Sequence, residues 1–260
     1  MAFITLTSDY GYTTPYVAAI KGAIYKIDPD VRVIDITHDV KQHDILHAAY
    51  ILKNSVHNFP AGTVHIISVD TSFALHRNFL IIQYNEQFFI GADNGIFSLI
   101  FDDTPAKVWA IKEEWIDAND LFPDKNLFSK IALHIIKKEE MENFAVPSRI
   151  KNIKQNIAPV IEGKSIRGNV IFIDNYGNLI SNISKKLFED KLAESNRFSI
   201  FYRGRKKINY ISKNYNDVKN GDELALFNES GLLEIAMNTG KADQLLGLKV
   251  NSQIIIEFYD

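Results

Sequence analysis

Cysteine is absent from all 260 residues, so disulfides, thiolate metal sites and cysteine nucleophiles are excluded. No apolar run approaches the ~20 residues needed to cross a bilayer, so no membrane partner is expected. The opening MAFITLTSDYG lacks a basic stretch and carries Asp9, which does not read as a signal peptide. Nor is there an excess of charge. With 29 Lys and Arg against 32 Asp and Glu, the formal net charge is −3, which supplies no electrostatic reason to expect nucleic acid as a partner. Glycine-rich phosphate loops of the GxGxxG or GxxxxGK[ST] type are missing, as is a GxSxG nucleophile elbow. These absences leave a soluble, cytoplasmic protein that handles a small molecule.

What is present is an alternation of β-like and helix-like segments through the first half. Ile4–Thr7 is a short β-rich run that ends in Ser-Asp-Tyr-Gly. Pro15 opens a helical pattern that runs to Ile27 and stops at Asp28-Pro29. Val31–Ile36, Thr63–Val69 and Lys107–Ile111 read as strands, and Phe79–Tyr84 with Gln87–Ile90 as a hairpin. Asp44–Val56, Asn94–Phe101 and Asn126–Lys138 read as helices. Such spacing predicts an α/β N-terminal domain whose mostly parallel sheet is flanked by helices. Residues 137–165 are polar and weakly periodic, as a linker would be. Beyond them come short β-rich segments, at Gly168–Ile173, Phe198–Tyr202, Leu224–Phe227, Leu232–Met237 and Gln253–Phe258. They predict a smaller all-β, barrel-like C-terminal domain. The domains are taken as 1–150 and 151–260.

Candidate chemistry sits at the ends of predicted strands, where parallel sheets bind ligands. Asp9 closes the first strand; its carboxylate can accept both hydroxyls of a ribose, or simply satisfy a turn. Asp70 closes TVHIISVD and Arg77 follows shortly after. Together they can orient a water and stabilise negative oxygen, or merely pin a loop as an ion pair. His43 and His47 share the i, i+4 spacing of a zinc-binding helix, but Asp44 replaces the usual Glu and no third ligand is indicated. Asp44 is better explained as an acid favouring the helix start, and no metal site is expected. In the second domain, Asp174-Asn175-Tyr176-Gly177-Asn178 joins an acid, an aromatic face and an amide. Tyr176 can stack on a purine and Asn178 can read its edge; the plain alternative is a β-turn. A nucleoside held by ribose and base, without phosphates, fits the missing phosphate loops.

Taken in order, ITLTSDYG, PYVAAIKGAI, VIDITHDV, FPAGTVHIISVD, FIGADNGIFSLI, VIFIDNYGNLISNI and LLEIAMNTGKA resemble the S-adenosylmethionine hydroxide adenosyltransferase family. That family is related to fluorinases and chlorinases, which attack the same substrate with halide. The resemblance implies displacement of methionine from the adenosyl C5′ carbon by water-derived hydroxide, without a cofactor. It also implies a homotrimer with active sites between neighbouring subunits. Carried over by residue, Asp9 would bind the ribose hydroxyls, Asp174 the methionine amino group, and Tyr176 and Asn178 the adenine. Ser230 and the backbone around Asn238-Thr239 would add substrate contacts, and Asp70 and Arg77 would flank the attacking oxygen.

The first of these segments is written TDFG in the family's style. Two departures stand out: the family's glycine-rich PGVGT loop after the strand-end Asp reads Thr71-Ser72-Phe73-Ala74-Leu75 here, and a later family motif runs close to FHGRDIF. This chain has Ser8-Asp9-Tyr10-Gly11 and Phe122-Pro123-Asp124-Lys125-Asn126-Leu127-Phe128, with proline at the family's catalytic histidine. His76, Asp124 and Lys125 are the candidates to replace it. A halide-using enzyme and a non-catalytic S-adenosylmethionine or adenosine binder are the alternatives to hydrolysis.

Overall fold

The computed structural model describes residues 3–71, 78–101, 103, 105, 107–204 and 206–260. Its residues group into two compact units, Met1–Gln155 and Asn156–Asp260. In the first unit the chain runs β1 (Phe3–Ser8), α1 (Tyr16–Ile27), β2 (Arg32–Thr37), α2 (Ile45–Ser55) and β3 (Val64–Ser68). It continues through the hairpin β4 (Phe79–Tyr84) and β5 (Gln87–Ala92), then α3 (Ile96–Ile100), β6 (Lys107–Ile111), α4 (Ser129–Ile136) and β7 (Ala145–Pro147).

These strands form one seven-stranded sheet in the order β2-β1-β3-β5-β4-β6-β7. The pairs β1–β2, β1–β3 and β3–β5 are parallel, whereas β4–β5, β4–β6 and β6–β7 are antiparallel. The sheet is therefore mixed rather than mostly parallel. The reason is local: the Asn85-Glu86 turn folds β4 back on β5, and β6 and β7 then add antiparallel on the β4 side. Successive residues of the central strands face opposite layers, as the two-residue period of a strand demands. Ile66, Ile81 and Ile90 pack with Ile20 and Ile24 of α1 and Ile131 and Leu133 of α4. Ile67, Leu80, Ile82 and Phe89 pack instead with Leu52 of α2 and Phe97 of α3. Burial on both faces explains why VHIIS is apolar throughout except for His65 and Ser68.

The second unit contains β8 (Val160–Glu162), β9 (Ser165–Ile173), β10 (Leu179–Ser184), α5 (Lys185–Leu192), β11 (Arg197–Tyr202) and β12 (Lys206–Ile208). It closes with β13 (Glu223–Phe227), β14 (Leu232–Met237), α6 (Ala242–Leu246) and β15 (Gln253–Tyr259). Its sheet is antiparallel and nearly barrel-like, ordered β12-β11-β15-β9-β10-β14-β13 with β8 on β9. The expectation of an all-β domain is corrected by α5 and α6. Helix α5 starts at Ser184, whose hydroxyl accepts the Leu187 amide, and it buries Phe188 against Phe198, Phe227 and Phe258. The predicted linker also holds ordered strands, since β7 and β8 both fall within it.

His65 is the one imidazole inside the strongly apolar β3. It is fully buried, bonded at Nδ1 to the Thr5 hydroxyl at 2.7 Å, and stacked on Phe89 at 4.7 Å. Burial pushes its pKa from 6.5 down to about 4. The folded protein therefore keeps His65 neutral where the unfolded chain protonates it. Stability is present in full above pH 6.5 and is lost as the pH falls toward about 4, at ~1.4 kcal/mol per pH unit. Urea unfolding between pH 7 and 5 should show a slope steeper by about that amount than in His65→Gln. Equal slopes would contradict a neutral buried His65.

Candidate active site

The parallel core brings two of the sequence-predicted acids to one edge. In β1 and β3, Ser8 pairs with Ser68, so the segments that leave these strands begin side by side. The Asp9 amide donates to the Ser68 carbonyl at 3.4 Å. Asp9 and Asp70 then line a single cavity of about 450 Å³, together with Tyr10, Tyr16, His43, Thr71, Phe122, Pro123 and Asp124. That volume falls in the range of small-ligand pockets.

His43 ties the two acids together. Its backbone N–H donates to Asp9 Oδ2 at 2.9 Å, and its Nδ1 lies 2.9 Å from Asp70 Oδ1. Both His43, with φ 60°, and Asp70, with φ 52°, occupy the left-handed region. For residues bearing a Cβ this costs of order 1 kcal/mol each and persists only where the surroundings enforce it. Here the Asn94 side-chain amide holds the carbonyls of Val69 and Asp70, at 2.9 and 3.3 Å. Asn94 also accepts the Ile96 amide, so the GADNG segment serves as a brace for the Asp70 loop.

His47 has partners of its own at the start of α2. Asp44 caps α2 by accepting the His47 amide at 3.0 Å, and His47 Nδ1 accepts the Lys41 amide at 3.1 Å. Among the described residues no group of three or more His, Asp or Glu is arranged to hold a metal ion. In the sequence, His43 stands out only as half of an i, i+4 histidine pair. Its role as a bridge was hidden because the strand-end loops that surround it meet only in the folded sheet.

Asp124 opens a π-helical turn, Asp124–Phe128, that leads into α4. It is buried and accepts from the Tyr10 hydroxyl at 2.6 Å and the Thr71 hydroxyl at 3.2 Å, with Ser68 as a further donor. Burial raises its pKa above the ordinary carboxylate value, and the three hydroxyl donors oppose that rise. Tyr10 is held protonated: burial first, then the nearby Asp124, push its pKa far upward. Tyr10 packs against Tyr16 and Phe122, which form an aromatic wall, and Lys125 lies over the Phe122 ring at 5.9 Å. Arg77 and His76 lie outside the described residues.

In the second unit the Asp174–Asn178 segment is a tight turn. Asp174 Oδ1 accepts the amides of Tyr176 and Asn178, both at 2.9 Å, and Oδ2 accepts the Asn178 side-chain amide at 3.0 Å. Gly177 has φ 81°, and a Cβ there would meet the Asp243 carboxylate and Lys241, so only glycine fits. Tyr176 stands 77% exposed, while Asn178 is buried. Asn238 is buried, with its amide bonded to the Val218 carbonyl at 2.8 Å, and Thr239 is left-handed at φ 59°. Ser230 sits in the exposed turn between β13 and β14, its amide on Asn228 Oδ1 at 3.1 Å.

Comparison with known proteins places these features in a family. The chain is 29% identical over 262 residues to an (R)-S-adenosyl-L-methionine hydrolase of Methanocaldococcus jannaschii, covering 97% of this chain and 95% of that one. It is 25% identical to a protein of the same name from Thermus thermophilus, over 93% and 94% of the two chains. The crystal structure of an uncharacterized conserved protein from Thermotoga maritima superposes with a TM-score of 0.86 at 27% identity, covering 98% of this chain and 99% of the other. Residues 4–145 match the SAM hydroxide adenosyltransferase N-terminal domain and residues 168–255 match the C-terminal domain, so the chain belongs to the SAM hydroxide adenosyltransferase family.

Proposed function

We propose that this chain hydrolyses (R)-S-adenosyl-L-methionine to adenosine and L-methionine, through attack of a water-derived oxygen on the adenosyl C5′ carbon. The observation that carries the reading is the single cavity in which Asp9 and Asp70 are joined through His43. Family membership and the hydrolases matched over nearly their full length support the same substrate.

The sulfonium is a good leaving group and needs no protonation, so the protein's task is to deliver oxygen. The oxygen must be held in line with C5′ at about 3–3.5 Å, with competing water excluded. Asp9 receives the ribose hydroxyls; its carboxylate retains acceptor capacity beyond the His43 amide. Asp70 orients the water and is itself oriented by the His43 imidazole, while Arg77 stabilises the developing hydroxide. Asp174 takes the methionine amino group, and Tyr176 and Asn178 the adenine. Ser230 and the Asn238-Thr239 backbone complete the substrate shell. The reaction uses neither cofactor nor metal. The enzyme acts in the cytoplasm as a homotrimer whose sites are shared between neighbouring subunits. No helix among the described residues is long and apolar enough to cross a membrane.

Incubation with the (R) epimer in 18O-labelled water should release adenosine and methionine in equal amounts, with the label in the 5′-hydroxyl. Intact substrate, or 5′-chloro-5′-deoxyadenosine when chloride is present, would contradict hydrolysis. Asp70→Asn should lower kcat by ~10²-fold or more, and Asp9→Asn should act chiefly on KM. His43→Ala keeps the amide to Asp9 but loses the imidazole. Its kcat should fall by about tenfold at unchanged KM, the worth of one hydrogen bond in the transition state. A KM effect alone would remove His43 from the chemistry.

A further inference from the structure

Two residues that depart from the family pattern meet in this cavity. Tyr10 stands where the TDFG style has phenylalanine, and Asp124 where FHGRDIF has glycine. Neither family residue can hydrogen-bond through a side chain. In this chain the two replacements bond to each other at 2.6 Å across 114 positions of sequence. Either alone would leave a buried group short of a partner, the Tyr10 hydroxyl its acceptor or Asp124 Oδ2 its donor. The pair also lies where the family's histidine is missing, since Pro123 lines the same cavity beside Tyr10 and Asp124. Asp124 is anchored by hydroxyls from β3 and the loop that follows it, Ser68 and Thr71, so it is fixed to the segment that carries Asp70.

We propose that Tyr10 and Asp124 form a proton relay that takes over the work of the absent histidine. This rests on the hydrolase reading. As the water oxygen bonds to C5′, the C5′–S bond breaks and its electron pair stays on the methionine sulfur. The water proton passes to the Tyr10 oxygen while the Tyr10 proton passes to Asp124 Oδ2. After adenosine leaves, the same path returns the proton to solvent. Burial suits both partners. It makes Asp124 a stronger base than a surface carboxylate, and it keeps Tyr10 protonated at rest and donating to Asp124.

Asp124→Asn keeps the size of the side chain and an oxygen for the Tyr10 hydroxyl, but cannot take the proton. The double variant Tyr10→Phe/Asp124→Gly restores the family's own pair and leaves no buried carboxylate unpaired. Both should melt as cooperatively as the parent and bind adenosine by calorimetry with parental affinity, yet turn over ~10²-fold more slowly. Adding Pro123→His to the double variant should recover turnover. Parental rates in Asp124→Asn or in the double variant would overturn the relay while leaving the hydrolase reading in place. A parent protein that leaves S-adenosylmethionine intact would overturn both.

Discussion

The parallel pairing of β1 with β3, in the register that sets Ser8 opposite Ser68, is the constraint on which the cavity depends. It makes the segments beyond both strands start from neighbouring points, so Asp9 and Asp70 are presented at one sheet edge. The same edge receives Tyr10 and Thr71 one residue later, and both donate side-chain hydrogen bonds to Asp124. A register shift of one residue would turn every side chain of β1 to the opposite layer, burying polar Thr5 and Thr7 against α1 and exposing Ile4 and Leu6 to the wrong neighbours. The hydrophobic core therefore enforces the geometry of the polar edge. Strain is concentrated there as well: His43 and Asp70 both hold left-handed backbones, which the His43–Asp70 contact and the Asn94 brace keep in place.

Electrostatics then separates three carboxylates that share one cavity. Asp9 is held by a backbone amide, Asp70 by an imidazole, and Asp124 by hydroxyls in a buried setting. Such a set is unfavourable for an anion and favourable for a sulfonium cation, whose charge lies beside the carbon under attack. The environments differ enough to divide the labour. Asp9 and Asp70 are partly exposed to the cavity, whereas the enclosed Asp124 is reached through the Tyr10 hydroxyl.

Much of this was legible beforehand. Val31–Ile36, Thr63–Val69 and the Phe79–Tyr84 hairpin are apolar runs bounded by turn residues, and they fall on β2, β3, β4 and β5 within a residue or two. Asp44 and Pro15 marked helix starts correctly. Beyond the β4–β5 hairpin, the antiparallel addition of β6 and β7 was not legible, because strand direction there is set by tertiary pairing and leaves no trace in periodicity. Helix α5 was missed for a related reason: KKLFEDKL is mostly charged and buries only Phe188, too little to raise a helical apolar pattern. In the cavity, Asp9 and Asp70 could be picked out as strand-end acids. Tyr10 and His43 could not, since an aromatic after an Asp and a loop histidine are ordinary in isolation. Their significance comes from partners 114 and 27 residues away.

The account's central claim is that the β1–β3 edge holds the reacting carbon of a nucleoside. A crystal structure with adenosine bound tests it most directly. The claim predicts the ribose hydroxyls on the Asp9 carboxylate and the 5′-oxygen within hydrogen-bonding distance of Asp70 or the Tyr10 hydroxyl. Adenosine bound outside this cavity, or seated with its 5′-carbon turned away from both groups, would contradict it.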